Sequence, residues 1–136
     1  MARPPSGQPT EGELEILKVL WRTGPAGLGA VRGALQGSRP VASTTVATML
    51  KLMAEKGLVR REDGPKGYLW SAAVDEGATR SGLLRKLVDL AFEGSARRMI
   101  AHLFEAGDLS DQDRAAIRRM LDARRAKRPP KGGERS

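Results

Sequence analysis

Through the first half of the chain, apolar residues recur every three or four positions. Leu14, Leu17 and Trp21, with Ile16 and Leu20 beside them, form the single apolar face of a predicted first helix ending near Arg22. Thr10-Glu11-Gly12-Glu13 ahead of them has the spacing of a capping box, in which the Thr hydroxyl and the Glu carboxylate each satisfy a backbone N–H. Gly24-Pro25 breaks this helix. An extended piece around Gly27-Leu28 then leads to a second, shorter one over residues 29–36, closed by Gly37, with Ala30, Val31, Ala34 and Leu35 facing inward. After a turn at Ser38-Arg39-Pro40, Val46, Met49, Leu50 and Met53 mark the buried stripe of a third helix. Gly57 stops it, preceded by Lys56 at the negative end of the helix dipole. The period then shortens: residues 58–62 and 68–72 read as two strands joined by the Gly- and Pro-rich loop Asp63-Gly64-Pro65-Lys66-Gly67. Residues 10–75 are thus predicted as helix, helix, helix, hairpin, the order of a winged helix-turn-helix.

From residue 76 no strand pattern returns. Leu83, Leu84, Leu87, Val88 and Ala91 mark one amphipathic helix with Phe92 at its end, and Ser95 caps a second containing Met99, Ile100, Leu103 and Phe104. Ser110, with Asp111 and Asp113 in the following turn, opens a third containing Ala116, Ile117, Met120 and Leu121. Three short helices cannot bury their apolar faces alone. Either they fold back on the first half or they pair with a second copy, the commoner solution for a protein that reads two half-sites. Residues 76–123 are accordingly predicted as a helical dimerisation region, its interface formed by Leu83, Leu84, Leu87, Val88, Met99, Ile100, Leu103, Phe104, Ile117, Met120 and Leu121. The fold class is mainly α.

The net charge of +8 is unevenly spread. Residues 1–75 hold 10 Lys/Arg against 7 Asp/Glu, residues 76–123 balance at 8 against 8, and residues 124–136 hold 6 against 1. Most of the excess therefore sits in a tail, "RRAKRPPKGGERS", too poor in apolar residues to fold. It is either a solvated terminus or a sequence-blind contact to phosphate. Residues 1–9, rich in Pro, Gly and Ser, are expected to be a disordered arm. No run of apolar residues approaches a membrane span and no signal peptide is visible, so the cytoplasm is the expected location.

The inventory for catalysis is thin. There is no cysteine, which excludes disulfides, thiolate chemistry and Cys-based metal sites, and the one histidine, His102, reads as an ordinary helix residue. No Gly-x-Ser-x-Gly elbow or Gly-rich phosphate loop is present, so neither an enzyme nor a cofactor is expected. DNA chemistry is better supplied. Residues near the N-terminus of a helix in the major groove reach base edges, and here those are Ser43, Thr44, Thr45 and Thr48, with Lys51 one turn on for a phosphate. Arg60, Arg61 and Lys66 on the hairpin are placed for backbone or minor-groove contact. Two plainer readings stand beside this one: hydroxyls chosen for capping with a hairpin charged for solubility, and a winged helix that docks another protein.

Four stretches, "PTEGELEILKVLW", "STTVATMLKLMAEKGLV", "GYLWSA" and "GDLSDQDRAAIRRML", resemble in order and spacing the penicillinase-repressor (BlaI/MecI-type) family of transcriptional regulators. The resemblance covers about residues 9–123. It implies a homodimeric repressor whose winged helix binds a palindromic operator and whose C-terminal helices form the dimer. It also implies induction through a membrane sensor with a metallopeptidase domain, leading to cleavage or inactivation of the repressor. Carried over by residue, it puts Thr44, Thr45 and Thr48 in the major groove and Lys51 near the backbone. Leu52 departs from the family pattern, which commonly has Arg there. The nearest candidate for the cut is Leu103-Phe104, without the Asn that precedes the Phe in the antibiotic-resistance repressors. The copper-responsive branch uses Cys pairs, so metal sensing of that kind is excluded.

Overall fold

The computed structural model describes residues 8–37 and 40–127. The chain divides into two compact units, Met1–Lys86 and Leu87–Ser136. In the first, α1 (Glu11–Thr23), α2 (Leu28–Leu35) and α3 (Ser43–Lys56) precede an antiparallel hairpin of β1 (Val59–Gly64) and β2 (Gly67–Ala72). α1 packs on α2 and β2, and α3 packs on α2 and β1. Their shared core is Ile16, Leu17, Leu20, Val31, Leu35, Val46, Leu50, Met53, Leu58, Val59 and Trp70, with Val19 and Ala26. This is the winged helix expected from the periodicity.

The local chemistry explains where each element begins and ends. Thr10 Oγ1 accepts from the Glu13 backbone, and Glu13 Oε1 accepts from the Thr10 backbone, the reciprocal box read from the sequence. Gly57 adopts φ 86°, ψ 13°, and two bonds close α3: Gly57 N–H to Ala54 O and Leu58 N–H to Met53 O. That pairing is a Schellman motif, and buried Leu58 beside buried Met53 supplies its hydrophobic contact. It turns the chain straight from α3 into the wing.

Several boundaries differ from the sequence reading. The hairpin is longer and its loop tighter: Asp63 pairs with Tyr68 and Gly64 with Gly67, leaving only Pro65 and Lys66 outside the ladder. Ala26, just before the expected extended piece, forms a bridge to Trp70 with backbone bonds of 2.8 and 2.9 Å in both directions. Ala30 and Ala34 of α2 are exposed rather than inward. The buried stripe there is Val31 and Leu35 with half-buried Leu28, the larger side chains at i, i+3, i+7. At the N-terminus, Pro9 is buried and the Gln8 side chain abuts Gly82, so these two residues are not part of a disordered arm. Residues 1–7, and Ser38-Arg39 of the expected turn, lie outside the described residues.

The later helices are α4 (Glu76–Ala91), α5 (Ala96–Glu105) and α6 (Asp111–Lys127). Asp75 Oδ2 accepts from the Ala78 backbone at the start of α4, and the division between the units falls inside that helix. Ser95 caps α5 through the Arg98 amide, and Ser110 and Asp113 form a reciprocal pair at the start of α6. α6 continues to Lys127, taking in the first four residues of the expected disordered tail, 124–127. Ala, Arg and Lys are strong helix formers, and Arg124, Arg125 and Lys127 complement the dipole at its C-terminal end. Residues 128–136 of that tail lie outside the described residues.

Candidate nucleic-acid interface

The two faces of α3 have opposite chemistry. Val46, Leu50 and Met53 are fully buried, whereas Ser43, Thr44, Thr45, Thr48 and Lys51 are exposed. At 100° per residue, Thr44, Thr48 and Lys51 lie along the side facing away from that core, with Thr45 and Leu52 on one flank. The capping alternative fails here. The N-cap position is Ala42, no side chain caps the helix, and its first turn holds no acidic residue. Among the described residues the hydroxyls at its start are therefore not spent on capping, and the backbone donors of its first turn have no side-chain cap.

Two long-range contacts hold α3 in place, and the sequence pattern showed neither. Arg32 Nε on α2 donates to Val41 O at 3.0 Å, fixing the strand of chain just ahead of α3. At the other end, Lys56 Nζ lies 2.9 and 2.8 Å from the two oxygens of Glu13. Burial pushes the Glu13 carboxyl up, but the Lys56 ammonium and the Thr10 donors outweigh it and hold its pKa below the ordinary 4.5. The start of α1 is thereby tied to the end of α3, across 43 residues of sequence. Trp21 Nε1 donates to Val74 O at 2.9 Å, anchoring the chain that leaves the hairpin.

The hairpin separates the cations that the sequence reading grouped. Arg60 pairs with Ser71 and Arg61 with Trp70, and successive strand residues face opposite sides. Arg60 and Arg61 therefore cannot approach DNA from the same face. Arg61 shares its face with buried Val59 and Trp70 at the base of the ribbon and with Tyr68 towards its tip. Its guanidinium carbon stands 4.0 Å from the centroid of the Tyr68 ring. Tyr68 is 51% exposed, and Lys66 is exposed in the turn. The aromatic was legible only as a strand residue, because pairing across a turn depends on register.

Of the residues assigned to dimerisation, Val88 is already buried within its own chain. Leu84, Leu87, Ile100, Phe104, Met120 and Leu121 are exposed, while Leu83, Met99, Leu103 and Ile117 are half-buried. Leu90, absent from that set, is the most exposed large apolar side chain among the described residues, at 75%. The helices α5 and α6 contain no buried residue at all. Phe104, Ile117 and Leu121 line a groove edged by Arg114, Arg118 and Arg125. His102 packs its ring against Phe92 at 5.8 Å between centroids, and among the described residues no three His, Cys, Asp or Glu side chains gather as a metal site. No helix among them is long and apolar enough to cross a membrane.

Comparison with known proteins bears on this arrangement directly. The penicillinase repressor family matches residues 9–123. The transcriptional regulator BlaI of Mycobacterium tuberculosis is 30% identical over 128 residues, covering 89% of this chain and 91% of that one. Among solved structures, apo wild-type MarR from E. coli superposes with a TM-score of 0.51 at 18% identity, over 85% of this chain and 76% of that one, a likeness of fold. The solution structure of monomeric BlaI from Bacillus licheniformis in complex with the blaP half-operator gives a TM-score of 0.47 at 25% identity, over 57% of this chain and 92% of that one. The family match runs from the capping box of α1 through the wing and into α6, and the chain belongs to the penicillinase repressor family, whose members are DNA-binding, winged-helix transcriptional repressors rather than enzymes.

Proposed function

We propose that the chain represses transcription as a homodimer, each copy laying α3 into one half of a palindromic operator, and that an upstream sensor metallopeptidase relieves the repression. The observation that carries the operator reading is the outer row of α3, where Thr44, Thr48 and Lys51 are exposed and no hydroxyl is used for capping. A threonine can donate to or accept from a base edge and offers a methyl to thymine, while Lys51 reaches for a phosphate. Lys66 and the arginines of the hairpin add contacts that position without reading sequence. The dimer is supported by the apolar side chains of α4, α5 and α6 left in water, in a cytoplasmic protein that would otherwise pay for their exposure. Release through a sensor is supported by family membership, and Leu103-Phe104, in the last turn of α5, is the candidate cut.

The test is to recover the genomic fragments bound by the full chain and read their shared element. A palindrome with half-sites about 34–36 Å apart, one turn of DNA, is expected. Replacing Thr44, Thr45 and Thr48 together by Ala should then flatten base preference while leaving binding to mixed-sequence duplex in place. If the chain binds no duplex at low or high salt, the winged helix is a protein-docking module instead. For release, mass spectrometry of the repressor from induced cells should find a fragment ending near Leu103; an intact chain would remove cleavage from the mechanism.

A further inference from the structure

The hairpin contains an aromatic side chain, Tyr68, that the operator reading gives no role. Arg61 lies over the face of Tyr68 at 4.0 Å, on the side of the ribbon that also carries Asp63. Among the described residues no carboxylate stands within ion-pair distance of Arg61, Asp63 on its own face included. The planar group is therefore held by the ring while its N–H donors, which radiate in its own plane, remain unspent. A solvated arginine must lose rotamer freedom before it can meet a phosphate. One already stacked has lost much of that freedom in the free protein, so more of the contact appears as affinity.

We infer that Tyr68 is a positioning residue for DNA, holding the Arg61 guanidinium over its ring so that the free N–H donors meet a backbone phosphate beside the operator half-site. This rests on the DNA-binding reading above. The register makes the assignment specific. Asp63 pairs with Tyr68 and Arg61 with Trp70, so Arg61 and Tyr68 are diagonal neighbours on one face, close enough for long side chains to touch. Arg60, on the opposite face, has no such support. The two arginines, equivalent in sequence, are thus unequal: Arg61 is the preorganised one. Tyr68 is half in solvent, so altering it leaves the core of Trp70 and Val59 untouched.

The experiment uses the full chain and a mixed-sequence DNA duplex, with affinity measured across a range of salt. Arg61→Ala should lower the salt slope by about one phosphate contact. Tyr68→Leu, which keeps apolar bulk without the ring, should weaken binding about two- to fivefold at low salt, the size of an exposed cation–π contact. Tyr68→Phe should bind like the parent chain, and Arg61→Ala combined with Tyr68→Leu should be no weaker than Arg61→Ala alone. In the free protein, the Arg61 side-chain protons should show a ring-current shift that Tyr68→Leu abolishes. If Tyr68→Leu loses the ring-current shift yet binds as the parent does, or if Arg61→Ala leaves the salt slope unchanged, the inference is overturned while DNA binding through α3 stands. If the parent chain itself binds no duplex, the functional reading falls and takes this inference with it.

Discussion

The two units of this chain treat their apolar residues in opposite ways. In the first, Ile16, Leu17, Val31, Val46, Leu50 and Met53 are sealed completely. In the helices α5 and α6 of the second, nothing is buried, although Ile100, Phe104, Met120 and Leu121 are as hydrophobic as any core residue. Both halves obey helical periodicity equally well. What differs is the supply of partners: the first unit has three helices and a hairpin around one centre, the second only the end of α4 with α5 and α6. An amphipathic pattern fixes which face needs cover but not what covers it. The first unit buries its apolar residues within itself, and helices α5 and α6 of the second leave theirs unburied, the face on which the proposed dimer rests.

The comparison breaks most readily at its closed end. Leu50→Ala should destabilise the chain by about 2–5 kcal/mol, from lost burial and the cavity left behind. Denaturant unfolding followed by circular dichroism checks this. Leu121→Ala, under dilute conditions that favour the monomer, should change stability by less than about 0.5 kcal/mol. Equal losses at both positions would mean that α6 is packed within the monomer after all. The open end breaks differently. Phe104→Asp with Leu121→Asp places charge on side chains that are 40% and 65% exposed, so the monomer should keep its helical signal. Sedimentation should then show dimer lost, and operator affinity should fall about a hundredfold as two linked half-sites become one. A dimer that survives both charges would move the interface elsewhere, with Leu84, Leu87 and Leu90 on α4 the next surface to alter.

How much of this was legible depended on the distance over which each feature acts. The capping box at Thr10, the Gly57 stop and the buried stripe of α3 are set by neighbours within a turn, and the structure has them where the spacing puts them. Errors came where two periodic signals competed. Ala30 and Ala34 fit a helical face beside Val31 and Leu35, but a methyl group contributes little to burial, and the stripe centres on the larger Val31 and Leu35 with Leu28 at its edge. The hairpin loop was read too long because Gly and Pro mark a turn without counting its residues, and Asp63 and Gly64 joined the ladder. The longest-range features were invisible. The Lys56–Glu13 pair, the Trp21 bond to Val74 and the stacking of Arg61 on Tyr68 all depend on register or packing. In the candidate interface, residue identities on α3 were readable, whereas the inequality of Arg60 and Arg61 was not.

The Lys56–Glu13 pair gives the closed unit an acid limit. Glu13 is 6% exposed and its folded pKa lies below 4.5, so the unfolded chain holds more protons than the folded one just below that pH. Its contribution is complete above the unfolded pKa and is lost as pH falls through the folded value. Lys56→Met should cost about 1–2 kcal/mol at neutral pH, less than a fully buried pair because the lysine is partly in solvent. Glu13→Gln should reduce the acid dependence in the same window, and urea midpoints at pH 7 and in that window compare the two. Identical acid curves for Glu13→Gln and the parent chain would show that other carboxylates set the limit.

The smallest effect concerns Leu52, a residue of the closed unit with the exposure of the open one. Leu52 is 48% exposed on the flank of α3, beside Thr45, as open as Leu87. On α4 such a leucine is one of a row of exposed leucines with Leu84 and Leu90. On α3 it stands alone among hydroxyls and cations, and a single exposed apolar side chain needs no partner. Its position beside the proposed reading face makes it a site where a phosphate contact can be added. Leu52→Arg should leave stability within about 0.5 kcal/mol, since Leu and Arg have similar helix propensity. It should steepen the salt slope of duplex binding by about 0.9, the weight of one more neutralised phosphate. A variant that instead loses its dimer with an unchanged salt slope would place Leu52 in the protein interface, and the division between a closed DNA-reading unit and an open pairing unit would have to be redrawn through α3.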